Sequence, residues 1–308
     1  MTTRRTWRRL AALRPGIAAS LVAITLAACG VAGQAPASPP GPTIDKTTVP
    51  PSTPSPSAPG TDARGTLIVR VTIEGGFIKP TAVLAAIPAF SAYDDGRIMT
   101  PAPITEIFPG RLMPAVSVRS VGRAGATAIV AAIRAAGLDK PAVGKDPGAP
   151  GDTGTTVVTV NLGGATTVTR LAGQGAPGAG DPSDAAARAF VTKLSDSSAT
   201  WGAGSAPESI LIPAGYPVFV VPGAPEAGDP SLTQHPVAWP LATPLDRFGS
   251  SADPDHGLEG LRVSDVSGND AAILRGIFDQ ATELTPFTSG GKSYSLYVRP
   301  LLPDELPG

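Results

Sequence analysis

Cysteine occurs once in the 308 residues and histidine twice. A single thiol cannot form an internal disulfide, and His235 and His256 alone cannot build a histidine-rich metal site. Charged residues make up only 16% of the chain, and no basic cluster of the kind that holds nucleic acid interrupts it. The sequence also lacks a Gly-rich phosphate loop, a Gly-x-Ser-x-Gly elbow and a His-Glu-x-x-His pair. No cofactor, no metal and no nucleic-acid partner is therefore expected. No apolar run reaches the roughly 20 residues that span a bilayer.

Glycine (36) and proline (35) are abundant, which predicts many turns and short strands rather than a helical bundle. Hydrophobic residues, at 42%, suffice for a sizeable core. The expected class is α+β: a mostly antiparallel sheet with hairpins, about three packed helices and room for two lobes.

The amino terminus has a pattern of its own. Arg4, Arg5, Arg8, Arg9 and Arg14 precede an apolar run from Ile17 to Ala28, which ends in Leu26-Ala27-Ala28-Cys29-Gly30. A basic region, a short apolar region and small residues before a cut are the marks of a secretory signal peptide, expected here over 1–28. Leu26-Ala27-Ala28-Cys29 is similar to the lipobox of bacterial lipoproteins, where cleavage after the alanine leaves a lipid-bearing cysteine as the first residue. The only cysteine of the chain stands at that position. Ala28 and Cys29 are thus the expected cleavage site, and Cys29 the expected lipidation site. Two acyl chains on it would anchor the protein stably to the outer face of a membrane. An ordinary secretory signal with a chance cysteine is the competing reading. Thr3-Arg4-Arg5-Thr6-Trp7 leaves the general and the twin-arginine export routes both open. Setting those five arginines aside from the 24 basic residues leaves the remainder mildly acidic, at about −6 against 25 acids.

Residues 29–64 hold Pro39-Pro40, Pro50-Pro51 and Pro54-Ser55-Pro56-Ser57 among Ser, Thr and Ala. Such a composition cannot pack a core and favours extended polyproline II, so the segment reads as a tether. At about 3.1 Å per residue it would reach roughly 100 Å. The globular domain is expected over 65–308, with a Gly/Pro-dense seam at 172–180 dividing possible lobes 65–175 and 181–308.

Within the domain, the β-branched run over 66–73 predicts a buried strand. Tyr93-Asp94-Asp95-Gly96-Arg97 predicts a tight hairpin over 90–99, and Asn161-Leu162-Gly163-Gly164 a second one over 155–171. Further strands are expected at 116–118, 216–221, 261–263 and 294–298. Helices are expected over 124–136, with Ile129 and Ile133 inward; after an Asp181-Pro182-Ser183-Asp184 start; and over 269–284 behind a Ser267 cap. The last would bury Ile273, Leu274, Ile277, Phe278 and Ala281. Ala128-Ile129 with Ile133 matches the spacing of Ala272-Ile273 with Ile277, the pattern of a distant duplication.

Three places invite a functional reading. Asp253-Pro254-Asp255-His256-Gly257-Leu258-Glu259 gathers oxygen ligands for a hard cation, or is a solvated acidic turn. His235 and Trp239, on the Pro-bounded strand expected in His235-Pro236-Val237-Ala238-Trp239-Pro240-Leu241, are candidates to line a ligand pocket, against a plain core role for the tryptophan. Ser195 or Ser264 could serve a hydrolase triad assembled from distant residues.

Glu74-Gly75-Gly76-Phe77, Tyr93-Asp94-Asp95-Gly96-Arg97, Ile107-Phe108-Pro109-Gly110, Trp239-Pro240-Leu241 and Arg299-Pro300-Leu301-Leu302-Pro303-Asp304-Glu305 together resemble a group of uncharacterised actinobacterial lipoproteins. The resemblance spans 66–305. It implies the location and a shared fold, and carries no mechanism and no functional residues. The tail can alternatively be read as stitching the carboxyl end onto the sheet. The expected function is a membrane-anchored extracytoplasmic lipoprotein, a non-enzymatic binding or structural module of the cell envelope. Its expected partners are the membrane through Cys29 and an envelope protein, glycan or small ligand. The alternative is an envelope hydrolase.

Overall fold

A computed structural model of the chain describes residues 64–76, 78–105, 107–140, 154–173, 181–196, 201, 207–232, 234–252 and 257–307. The expected signal segment with Ala28 and Cys29, the tether up to residue 63, and Asp253 to His256 lie outside the described residues. From residue 64 onward the described residues belong to one compact unit.

Strand β1 (Leu67–Glu74) is followed by β2 (Phe90–Tyr93), β3 (Arg97–Pro101), β4 (Val116–Ser120) and helix α1 (Gly122–Ala135). The hairpin β5 (Thr155–Leu162) and β6 (Ala165–Leu171), helix α2 (Ala185–Ser195) and the short β7 (Ser209–Ile210) complete a first layer. Its seven strands run in the order β6-β5-β1-β2-β3-β4-β7, every pair antiparallel. A second sheet takes β8 (Gly215–Pro222), β9 (Val237–Ala238), β10 (Ser250–Ser251), β11 (Arg262–Ser267), β12 (Phe287–Ser289) and β13 (Lys292–Val298), with α3 (Gly268–Gln280) after β11. Its order is β10-β11-β8-β13-β12-β9, antiparallel except where β9 lies parallel to β12. The protein is α+β, dominated by antiparallel sheet.

The local chemistry explains these elements. Gly96 closes the β2–β3 turn at φ +87°, donating its N–H to the Tyr93 carbonyl, and a Cβ there would strike the Gly122 backbone. At the start of α2, Asp181 accepts the Ser183 N–H, and Pro182 opens a short 3-10 turn that leads into the helix. Ser267 occupies the N-cap position of α3, but its side chain makes no cap hydrogen bond.

One core lies between the first sheet and helices α1 and α2. It joins Val69, Val71, Phe90, Ala92 and Ile98 to Ile129, Ile133, Phe190 and Leu194. A second lies under α3, where the Phe278 ring meets Tyr216 edge-on at 5.4 Å and Phe287 at 6.4 Å. A third, smaller cluster on the other face of the first sheet gathers Leu67, Tyr93, Met99, Val116, Val118 and Leu211 around Leu302 of the carboxyl tail.

Two expectations shift. The chain changes sheet between Ile210 and Gly215, not at 172–180, because α2 carries Phe190 and Leu194 into the first core and β7 pairs with β4. On α3 the inward stripe is Ala271, Leu274 and Phe278, whereas Ile273 is 51% exposed. Ile129 of α1 is fully buried, so the apolar match between α1 and α3 does not correspond to equivalent packing.

Replacing Phe278 with Ala should cost about 3–5 kcal/mol, since the hole would open amid aromatic neighbours. Ile273→Ala should stay within about 0.5 kcal/mol. Urea unfolding of both variants checks this, and equal losses would mean that the other stripe of α3 faces the sheet.

Candidate functional site

Two places on this framework bring distant residues together, and both join the first sheet to the second. The first is a polar clasp at the end of the first sheet where the chain enters the fold. After β13, Arg299 to Leu306 cross to β1 and β2, with Leu301 and Leu302 buried. Asp304 accepts two hydrogen bonds from the Arg70 guanidinium of β1, at 2.8 and 3.1 Å, and one from the Tyr93 hydroxyl of β2 at 2.9 Å. Glu305 takes a two-pronged bond from Arg299, at 2.6 and 3.1 Å, accepts the Leu302 N–H, and lies 3.6 Å from Arg70. Paired planar donors and acceptors of this kind fix orientation as well as charge.

The amino end is tied into the same place. Arg64 donates to the Leu306 carbonyl and Thr66 N–H to Asp94. Arg97, whose side chain is almost wholly buried, donates to Asp95 at 2.6 Å and to the Arg64 carbonyl at 3.1 Å, with its guanidinium over the Tyr93 ring. Beside these groups an open cleft of about 640 Å³ is lined by Arg64, Asp94, Asp95, Asn161, Asp304 and Leu306 among others. Burial, together with the charge of Asp304, which accepts a hydrogen bond from its hydroxyl, drives the Tyr93 phenol far above its ordinary pKa, opposed by Arg70. Tyr93 is thus held as a neutral donor. Asp94, Asp95 and Asp304 each accept at least one internal hydrogen bond, so the chemistry of the clasp is structural closure between the two ends of the domain.

The second place is the connection from β3 to β4. Its base is fixed to the far end of α3: Gly110 N–H donates to the Glu283 carboxylate, Glu283 N–H to the Gly110 carbonyl, and Leu112 N–H to the Ala281 carbonyl. Leu112 and Met113 then insert into the second core. Ahead of this anchored base, Ile104, Ile107 and Phe108 stand 68, 65 and 63% exposed. Three large apolar side chains so exposed on one short loop are unusual for a surface with no partner. Ser91 pairs with both Arg70 and Met99, so Pro101, where the connection begins, stands level with Thr72. The loop therefore leaves the end of the sheet opposite to Arg64.

The residues singled out from the sequence fall elsewhere. Trp239 is buried in the second core, its indole N–H donating to the Thr243 carbonyl and its ring edge-on to Phe248 at 5.3 Å. His235, four residues before it, is exposed. Neither lines the cleft at the clasp. Ser195 is exposed at the end of α2 and donates to the Val191 carbonyl, while Ser264 lies half-buried in β11. Among the described residues, no group of three or more His, Cys, Asp or Glu is arranged to hold a metal ion. No helix among them is long and apolar enough to cross a membrane. In the sequence, Ile107-Phe108-Pro109-Gly110 stands only as a motif, whereas the Arg299 to Glu305 run can also be read as stitching the carboxyl end onto the sheet, and the structure seats it there. A pair of neighbouring acids at the end of an apolar tail was the available signal for the clasp.

No family model, no curated protein and no solved structure matches this chain.

Asp304→Ala would leave Tyr93 without its acceptor and Arg70 with only Ser91 and Glu305 at 3.5 and 3.6 Å, and should cost about 1–3 kcal/mol, towards the lower end because the pair is part-exposed. Chemical denaturation reads this directly, and an unchanged midpoint would show that the tail is not a clasp. Because Tyr93 keeps its proton in the fold above the ordinary tyrosine range, the folded state binds more protons than the unfolded one there. Stability should therefore hold up to about pH 10 and fall above it. Tyr93→Phe should flatten that alkaline decline when unfolding is followed across pH.

Proposed function

We propose that this chain is an exported lipoprotein of the actinobacterial group it resembles, held on the outer face of a membrane by lipid on Cys29. Its folded body acts as a binding or structural module of the cell envelope. Support for the anchor comes from the placement of the only cysteine at the end of a short apolar run behind five arginines. Lipid on that residue would carry two acyl chains, enough for stable attachment where one is marginal.

The binding role rests on one observation: Ile104, Ile107 and Phe108 are presented to solvent on a loop whose base is locked to α3. A mobile loop would lose entropy on docking, whereas a mounted one has already lost it. Although Glu106 lies between them in sequence, the exposed Ile104, Ile107 and Phe108 side chains suit an apolar protein surface better than a glycan, whose hydroxyls need polar partners. The occupant is therefore a protein of the envelope.

Cys29→Ala should abolish incorporation of labelled palmitate and release the protein from membranes or leave it uncleaved. If the native chain takes up no label and begins at another residue, the location is wrong. For the binding role, a photo-crosslinking residue in place of Phe108 in intact cells should give a discrete protein adduct. The adduct should be lost on Ile104→Ser with Ile107→Ser and be absent from the same probe at Thr192. Adducts with lipid alone, or none, would overturn the protein-docking reading while leaving the anchor untouched.

A further inference from the structure

Sheet edges carry unpaired backbone donors and acceptors, and folded proteins shorten, charge or cover them to prevent unwanted pairing. Of the four edge strands formed by the described residues, β7, β9 and β10 are two residues long. The fourth, β6, is seven residues long, runs in unbroken register along β5 and contains no proline. Its sequence, Ala165-Thr166-Thr167-Val168-Thr169-Arg170-Leu171, is dominated by β-branched residues suited to strands. Among the described residues no backbone group pairs with its outer side. Val168, at its centre, is 46% exposed. Its only charged residue, Arg170, is partnered by Glu74 of β1 at 2.6 Å, so it does not stand as a lone repelling charge.

We infer that β6 is a homodimer edge, on which a second copy of this chain adds its own β6 in antiparallel register to join two seven-stranded sheets. The occupant follows from the symmetry of the strand. A two-fold axis through Val168 sets Val168 against itself, Thr167 against Thr169 and Thr166 against Arg170 of the second copy. No charge then meets its like, the exposed valine covers its own equivalent, and Thr167, whose hydroxyl already donates to the Leu138 carbonyl at 2.6 Å, sets its methyl group against Thr169. A foreign peptide would need a matched pattern of its own, whereas this strand already supplies one.

The test uses the chain from Gly30 to Gly308, which keeps the whole compact unit and lacks Cys29. Sedimentation velocity should show a concentration-dependent dimer, and Val168→Lys, which sets like charges face to face on the axis, should weaken it at least tenfold. Circular dichroism should confirm that this exposed substitution leaves the fold intact. Val168→Cys then supplies the sole cysteine, and opposed Cα atoms about 4.5–5.5 Å apart lie within disulfide reach. Mild oxidation should trap this variant as a dimer at least tenfold faster than Thr192→Cys, which is exposed on α2. A monomer at every concentration, a dimer indifferent to Val168→Lys, or equal trapping of the two cysteine variants would each overturn the inference. None of these outcomes bears on lipid attachment.

Discussion

The two carboxylates at the end of the chain, Asp304 and Glu305, join parts of the protein that have little else in common. Arg70 and Tyr93 belong to the first sheet, Arg299 to the last strand of the second, and all three meet these acids. A buried or half-buried guanidinium is costly unless its donors are satisfied, so the tail must be in place for β1 and β2 to keep Arg70 in the fold. Leu302 adds apolar burial to the same closure, seated among Leu67, Tyr93, Met99 and Val118. The domain is closed at its carboxyl end by residues that pair across most of its length.

The position of this clasp has a mechanical consequence on the proposed reading of the chain as a tethered lipoprotein. Arg64 and Thr66, where the chain enters the folded body, are bonded to Leu306, Arg97 and Asp94. The strand that follows, β1, is paired along its length with β5 on one side and β2 on the other. Tension arriving through the tether would load several hydrogen bonds of an interior strand together, rather than peel an edge. The apolar loop at 104–108 is mounted at the other end of the same sheet. One end of the layer is thus secured to the chain that leads away, and the other carries the surface available for contact.

The outline of the fold was legible in the sequence. The β-branched run of β1, the Asp-Gly turn between β2 and β3, the Gly-Gly hairpin of β5 and β6 and the Asp-Pro start before α2 are local signals, each acting over a few residues. The Pro-bounded strand expected around Val237 and Ala238 is present as β9, whereas β7, β10 and β12 carry no local signal, since two or three residues have no period and form only because a neighbouring strand offers partners. Ile273 illustrates the same limit from the other side. Its spacing fits an inward stripe as well as that of Leu274 does, and only the position of the sheet under α3 decides which of them is buried. In the sequence Trp239 fits both a pocket wall and a core position; its indole bond to Thr243 and contact with Phe248 give it a core position.

The amino-acid sequence by itself determined which segments become the longer strands, the turns and the helices, because backbone preference, turn chemistry and amphipathic spacing act between near neighbours. It also contains the amino-terminal pattern on which the proposed location rests, since an export signal is a linear segment. The tertiary structure alone decided that Asp304 meets Arg70 across 234 positions, that the β3–β4 loop is held by the end of α3, and that β6 is left as the one long edge among the described residues. These depend on the order in which strands are laid side by side. No local preference encodes that order, because a strand's pattern specifies which face it buries and not which neighbour lies beside it.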